Sequence, residues 1–163
     1  LTTNKLNSYT NGNIYYSKGF IHNGSHFINL CNYLFGTLIS FKLIKNKKLK
    51  EKDYSIYVQL NYKHACICIR PIEKIDSDYQ SMEFISNKNR IFWDHLNNIK
   101  ISNISNPKKI TKNILLKNSF KTYQLNVMTQ IYKDLTNKPA NICNGNQVLN
   151  DLKNIEMIIK EYE

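Results

Sequence analysis

The chain has 163 residues, 42% of them hydrophobic and 21% charged, with a formal net charge of +11. That length favours one domain able to bury a core without disulfide staples. The composition excludes collagen-like, coiled-coil and tail-like disordered chains.

Residues 1–20 mix Asn, Thr, Ser, Gly and Tyr with no stable period, which predicts an irregular arm with a short strand at Asn13–Tyr16. Ser25 is placed to cap a helix running to Phe35, with Phe27, Leu30, Cys31 and Leu34 on its apolar side and Gly36 just past its end. Three alternating segments follow. Their apolar positions are Ile39, Phe41 and Leu43 in 37–45, then Tyr54, Ile56, Val58 and Leu60 in 54–62, then Ala65, Ile67 and Ile69 in 65–72. The apolar parity switches between Leu60 and Ala65. A tight turn within 61–64 produces that switch and pairs Leu60 with Ala65, Val58 with Ile67 and Ile56 with Ile69.

Beyond Pro71, the spacing of Met82, Ile85, Asn89, Phe92, Trp93 and Leu96 predicts a helix, at least over 87–98. Residues 98–106 read as a linker or, through Ile99 and Ile101, as a fourth strand. Asn106–Pro107 suits the opening of a short helix to Lys117. Ser119 suits the cap of another, carrying Phe120, Tyr123, Val127, Ile131 and Leu135. A last helix over 147–162 places Val148, Leu152, Ile155, Ile159 and Tyr162 at three-and-four spacing.

The expected fold is therefore α+β: an N-terminal helix, a three-stranded antiparallel meander and a helical C-terminal half, in a single domain spanning 1–163. In element order alone this resembles the RWD-type interaction domains, which would imply a protein–protein module in a larger complex.

The charge lies in two blocks. Residues 42–52 hold six lysines against Glu51, and residues 95–133 hold seven lysines and no acid. Within them Lys45, Lys47, Lys48 and Lys50, and then Lys108, Lys109, Lys112, Lys117 and Lys121, are the candidate contacts to a polyanion. Lysines at a helix start oppose the macrodipole, and a phosphate held there would offset that. The outer face of the meander adds Tyr57 and Arg70, a stacking and a bidentate group suited to nucleotides. Against this, Asn, Ile, Lys and Tyr have AT-only codons, so an AT-rich coding sequence raises lysine without selection for a partner. Only two arginines, Arg70 and Arg90, are present, and arginine is the preferred nucleic-acid contact.

No site chemistry stands out. His64, Cys66 and Cys68 share a strand face but lack the spacing of a zinc knuckle. His22 and His26 straddle the expected helix start, Asp94 and His95 point apart on the expected helix, and no glycine pattern suits a phosphate loop. Neither a metal nor a cofactor is expected, and no small-molecule substrate is identified. The four cysteines, Cys31, Cys66, Cys68 and Cys143, read as reduced thiols of an intracellular protein. The chain opens on Leu1, which suits an organellar form that has lost its targeting segment. The uncharged stretch 19–41 is long enough to span a bilayer, but its two histidines and three asparagines argue for burial in protein instead. The resulting expectation is a non-catalytic RNA-contacting subunit of a ribonucleoprotein, such as an organellar ribosome. The alternatives are a protein–protein module and a metal-free ribonuclease built on His22, His26, His64 or His95.

Overall fold

The computed structural model describes residues 9–48, 53–75, 77–96, 98–104, 110–115, 120–140 and 145–161. Among these, eight strands form one sheet: β1 (Thr10–Tyr16), β2 (Ser40–Lys48), β3 (Tyr54–Tyr62), β4 (Ala65–Pro71), β5 (Gln80–Ile85), β6 (Asn89–Trp93), β7 (Asn98–Asn103) and β8 (Ile110–Leu115). The helices are α1 (Ser25–Phe35), α2 (Phe120–Leu135) and α3 (Gly145–Lys160), and a π-helical turn over Phe20–Gly24 leads into α1. The strands lie in the order β2-β3-β4-β1-β5-β6-β7-β8. Only β1 and β4 run parallel; every other neighbouring pair is antiparallel.

This corrects the expected helix–meander–helices architecture, and with it the likeness to RWD-type domains. The meander exists, but as three strands of eight. The arm supplies β1, which contains the short strand expected at Asn13–Tyr16, starts three residues earlier and joins the meander to a second antiparallel ladder, β5–β8. Segments expected as helices at 82–98 and 107–117 are β5, β6 and β8 instead, while the strand reading of Ile99 and Ile101 is the one β7 adopts.

The cause is periodicity. Met82 and Phe84 pair with Trp93 and Ile91, and these pair in turn with Ile99 and Ile101. That is a period-two set on one face, and Ser86 and Asn89 close the hairpin through mutual hydrogen bonds. The apparent three-and-four spacing borrowed Ile85, the last residue of β5, and Asn89, the first of β6.

The core lies on one face of the sheet. Ile14, Tyr16, Ile56, Val58, Leu60, Ala65, Ile67 and Ile69 are fully buried there against Phe27, Ile28 and Cys31 of α1, and Ile158 of α3 joins them. Gly12 sits in the middle strand because nothing larger fits: a Cβ there would lie 2.5 Å from Phe84 and 2.7 Å from Ile67. The β3–β4 turn has two residues, so Tyr62 pairs with Ala65, Leu60 with Ile67 and Val58 with Ile69. The expected pairs are each offset by two residues, a shift that keeps every side chain on its face.

Beyond Val58 the β3–β4 ladder stops. There the buried Tyr16 hydroxyl stands in for the missing strand: it donates to the Ile56 carbonyl and accepts from the Ile56 N–H, both at 2.9 Å. Burial pushes the Tyr16 pKa well above the ordinary tyrosine value, so the hydroxyl keeps its proton.

α1 spans Ser25–Phe35 and ends at Gly36 (φ +86°) as the sequence implies. Ser25 is not its cap; its Oγ donates 2.6 Å back to the Ile21 carbonyl. α3 packs on α1 through a buried carboxylate. Asn29 and Asn32 each donate to one oxygen of Asp151, and the Tyr62 hydroxyl donates 2.9 Å to the Asn32 side-chain oxygen. Val127 and Leu135 of α2 and Leu152 of α3 are exposed, while Ile155, Ile158 and Ile159 of α3 pack on the core. No helix among the described residues is long and apolar enough to cross a membrane.

Candidate functional site

The C-terminal ends of the parallel pair β1 and β4 mark one end of the sheet. Tyr16 and Pro71 are partners there, and Gln80, the first residue of β5, lies beside Tyr16. The segments leaving these strands, together with Asp53 at the start of β3, meet at this end. Ligands in open α/β sheets bind outside the carboxyl ends of parallel strands for the same geometric reason: the chain diverges there and leaves room.

The turn after β1 is the most constrained stretch of backbone in the chain. Lys18 (φ +61°) and Gly19 (φ +92°) both adopt left-handed conformations, and the π-helical turn follows at once. π-turns and left-handed non-glycine residues are enriched at functional sites. Gly19 is required by space as well as by φ, since a Cβ would collide with the Asp53 carboxylate. That carboxylate closes the helix start. It accepts N–H bonds from Ile21 (2.7 Å), His22 (3.2 Å) and Tyr54 (2.6 Å), supplying the anion that a helix N-terminus attracts.

Ser17 ties the turn to the β4–β5 loop, donating to the Ser77 carbonyl (2.9 Å) while accepting from the Tyr79 N–H (2.8 Å). Asn23, buried in the π-turn, bridges the Ser17 carbonyl (2.8 Å) and the Asp78 carboxylate (2.9 Å). This framework leaves His22 and His26 exposed on the turn and the first part of α1. Tyr79 stacks on the exposed His95, with ring centroids 5.0 Å apart. Next to His95, Asp94 accepts from the Leu96 and Asn98 N–H groups (both 2.9 Å), and those bonds hold its carboxyl below the usual carboxylate range. Trp93 lies 6.5 Å from Phe27, and its buried indole N–H lacks a protein partner. The end of the sheet thus presents imidazoles, a tyrosine and amides on a rigid scaffold. Such groups hydrogen-bond hydroxyls and carbonyls.

Two cavities flank the scaffold. One of about 220 Å³ lies between the β1–α1 turn, the β4–β5 loop and β2. The other, of about 800 Å³, is a groove between α1 and α3 with Asn29, Asn32, Asn150, Asp151 and Asn154 in its walls.

The residues singled out from sequence are scattered. Lys45 and Lys47 lie on β2 at one edge of the sheet, where Lys45 approaches Glu73 at 3.9 Å. Lys48 ends the same strand, and Lys112 lies on β8 at the opposite edge. Seven interstrand steps separate the two edges, about 34 Å. That separation concerns the backbone positions of Lys45, Lys47, Lys48 and Lys112. Lys121 is in α2, and Lys50, Lys108, Lys109 and Lys117 lie outside the described residues. Tyr57 and Arg70 do meet on the outer sheet face, but they stack on each other, with the guanidinium carbon 4.9 Å from the ring centroid. His64 is in the β3–β4 turn at the other end of the sheet from His22. No cluster of three or more metal-ligating side chains occurs among the described residues. Cys31, Cys66 and Cys68 are free thiols, Cys31 fully buried and Cys143 outside the described residues.

Asp53, Asp78 and Tyr79 were missed from sequence. Their partners are 31, 55 and 62 residues away, at His22, Asn23 and Ser17, and no local pattern encodes that.

No family model and no curated protein matches the sequence. Solved structures do match the fold. A dehydrogenase from Clostridium difficile superposes over 98% of this chain and 56% of its own, with a TM-score of 0.69 at 13% identity. A dehydrogenase from Chromobacterium violaceum covers 94% and 52%, at 0.67 and 13%. A levoglucosan dehydrogenase in complex with NADH and L-sorbose covers 96% and 56%, at 0.73 and 9%. These neighbours point away from the ribonucleoprotein subunit expected from the sequence. The chain spans little more than half the length of the structures it matches, and over that span its fold is one found in oxidoreductases.

Proposed function

We propose that this chain is the mixed-sheet portion of an oxidoreductase, and that the end of its sheet bearing His22, His26, Tyr79 and His95 faces a small hydroxylated substrate. The observation that carries this reading is the superposition of nearly the whole chain on dehydrogenases, at TM-scores up to 0.73. One of those neighbours binds L-sorbose, and another, an oxidoreductase from Agrobacterium radiobacter, binds L-tartaric acid. Both ligands are small and carry several hydroxyls.

Both neighbours also bind a nicotinamide dinucleotide. The residues of this chain do not fit the pyrophosphate of that group. Its usual cradle is a glycine-rich turn from a parallel strand into a helix N-terminus. Among the described residues the turn of that kind, after β1, has its helix N–H groups taken by the Asp53 carboxylate, so they are not open to a pyrophosphate. No step through the dinucleotide follows from these residues, and in this reading the cofactor is held by a part of the enzyme outside this chain.

What the chain itself contributes is orientation and a proton. The Asn23–Ser17–Asp78 network fixes the turn, and the imidazoles of His22 and His26 project from it where a substrate hydroxyl can hydrogen-bond and exchange its proton. Nuclear magnetic resonance on isotope-labelled chain tests the reading. Titration with L-sorbose or tartrate at millimolar concentration should move the His22, His26, Tyr79 and His95 signals together. Shifts confined to the outer sheet face around Tyr57 and Arg70, or no shifts at all, would sink it.

A further inference from the structure

The 220 Å³ cavity beside the β1–α1 turn is lined by three lysines from three different segments: Lys18, Lys47 and Lys74. Two of these are left-handed in the backbone, Lys18 at φ +61° and Lys74 at φ +62°. Among the described residues only one other non-glycine residue, Asn137, has a positive φ. Lysine gains nothing from that conformation, which crowds its Cβ against the following carbonyl. Strain of this kind persists where the surrounding structure enforces it, and it gathers at ligand clamps. Packing does not account for the two left-handed lysines that line the cavity, since both side chains are exposed.

Among the described residues the lysines outnumber the acids that line the cavity. Glu73 also lines the cavity, but Lys45 approaches it at 3.9 Å. Asp53, next to Gly19, already accepts three backbone N–H bonds. No ion pair holds Lys18, Lys47 or Lys74 among the described residues. The cavity is smaller than pockets that enclose a whole drug-sized ligand. No arginine lines it, so it lacks the planar fork that matches a carboxylate, whereas ammonium groups carried by three separate segments suit a tetrahedral oxyanion.

We propose that this cavity binds a phosphate group through Lys18, Lys47 and Lys74. The proposal goes beyond the oxidoreductase reading and does not rest on it.

The test uses the whole labelled chain. Inorganic phosphate is titrated at constant ionic strength made up with chloride, following the amide signals of Lys18, Gly19, Ser55 and Lys74. Lys18→Gly and Lys74→Gly are the informative variants, because glycine accepts the left-handed backbone and the fold keeps its turn. Saturable shifts at those amides are expected, with affinity falling at least about tenfold in the double variant and melting temperature held or raised. Glycerol 3-phosphate identifies the source. Tighter binding than inorganic phosphate marks the phosphate of a larger ligand, weaker binding marks free phosphate, and both support the proposal. Three results would overturn it: shifts that merely follow ionic strength, an unchanged affinity in the double variant, or succinate binding as well as phosphate.

Discussion

The two ladders that meet at β1 are built to different standards. On one side, β3 and β4 bury Ile56, Val58, Leu60, Ala65, Ile67 and Ile69 completely. On the other, β6 and β7 offer Ile91 at 8% exposure, with Trp93, Ile99 and Ile101 only partly covered. The difference follows from what lies above them. α1 contacts β4 and the π-turn contacts β1, β3 and β4. Among the described residues no helix covers the β7–β8 edge as closely, and α2 leaves Leu135 at 77% exposure. Stability should therefore concentrate in the β1–β3–β4 half, with the β5–β8 half responding more softly to the same chemical change.

Paired truncations measure that contrast most directly. Ile67→Ala should cost about 3 kcal/mol, within the range for a buried branched side chain that leaves a cavity. Ile101→Ala, half-covered, should cost about 1 kcal/mol. Urea unfolding of the two variants gives both numbers. Equal losses would mean that the second ladder is cored as tightly as the first.

Tyr16→Phe should come next, at about 2 kcal/mol, because it strands both the N–H and the carbonyl of buried Ile56 where no strand can take over. Amide exchange sharpens the result: Ile56 should lose protection while Ile91, across the sheet, keeps it. Asp53→Ala removes the acceptor at the start of the π-turn and should cost about 1 kcal/mol. Its signature is local, in faster exchange at Ile21 and His22.

The same asymmetry decided what could be read from the sequence. β3 and β4 alternate cleanly because one face is wholly apolar, so their faces were legible, and only the turn length shifted the pairing by two. α1 was legible from its apolar side and Gly36. In β5–β8 the inward positions include Met82, Trp93 and Ile99 among many polar neighbours, and Ile85 and Asn89, which flank the turn, completed a false helical spacing. Ile39, counted with Phe41 and Leu43, is 67% exposed because β2 begins only after it. Lys18, Asp53, Asp78 and Tyr79 were invisible as a site for a different reason. They converge through the parallel β1–β4 pairing, whose partners lie 55 residues apart, and pairing at that separation leaves no periodic trace.

Acid separates the halves by a route that truncation does not use. The Asp94 carboxylate closes the β6–β7 turn, and its hydrogen bonds from Asn98 hold its pKa below the ordinary 3.8. A carboxyl with a depressed folded value contributes its full share above the unfolded value and loses it as pH falls through the folded one. The loss therefore begins only below about pH 3.8 and falls on the softer half. The rung that Tyr16 provides in the other half carries no charge in acid, because its raised pKa keeps the hydroxyl protonated throughout. Lowering the pH from about 5 toward about 2 should thus release the Asn98 amide to exchange while Ile56 stays protected. Asp94→Asn should flatten that response at Asn98, since the amide oxygen still accepts but no longer titrates. If Ile56 opened at the same pH as Asn98, the two ladders would be one cooperative unit, and the contrast in burial would not be a contrast in stability.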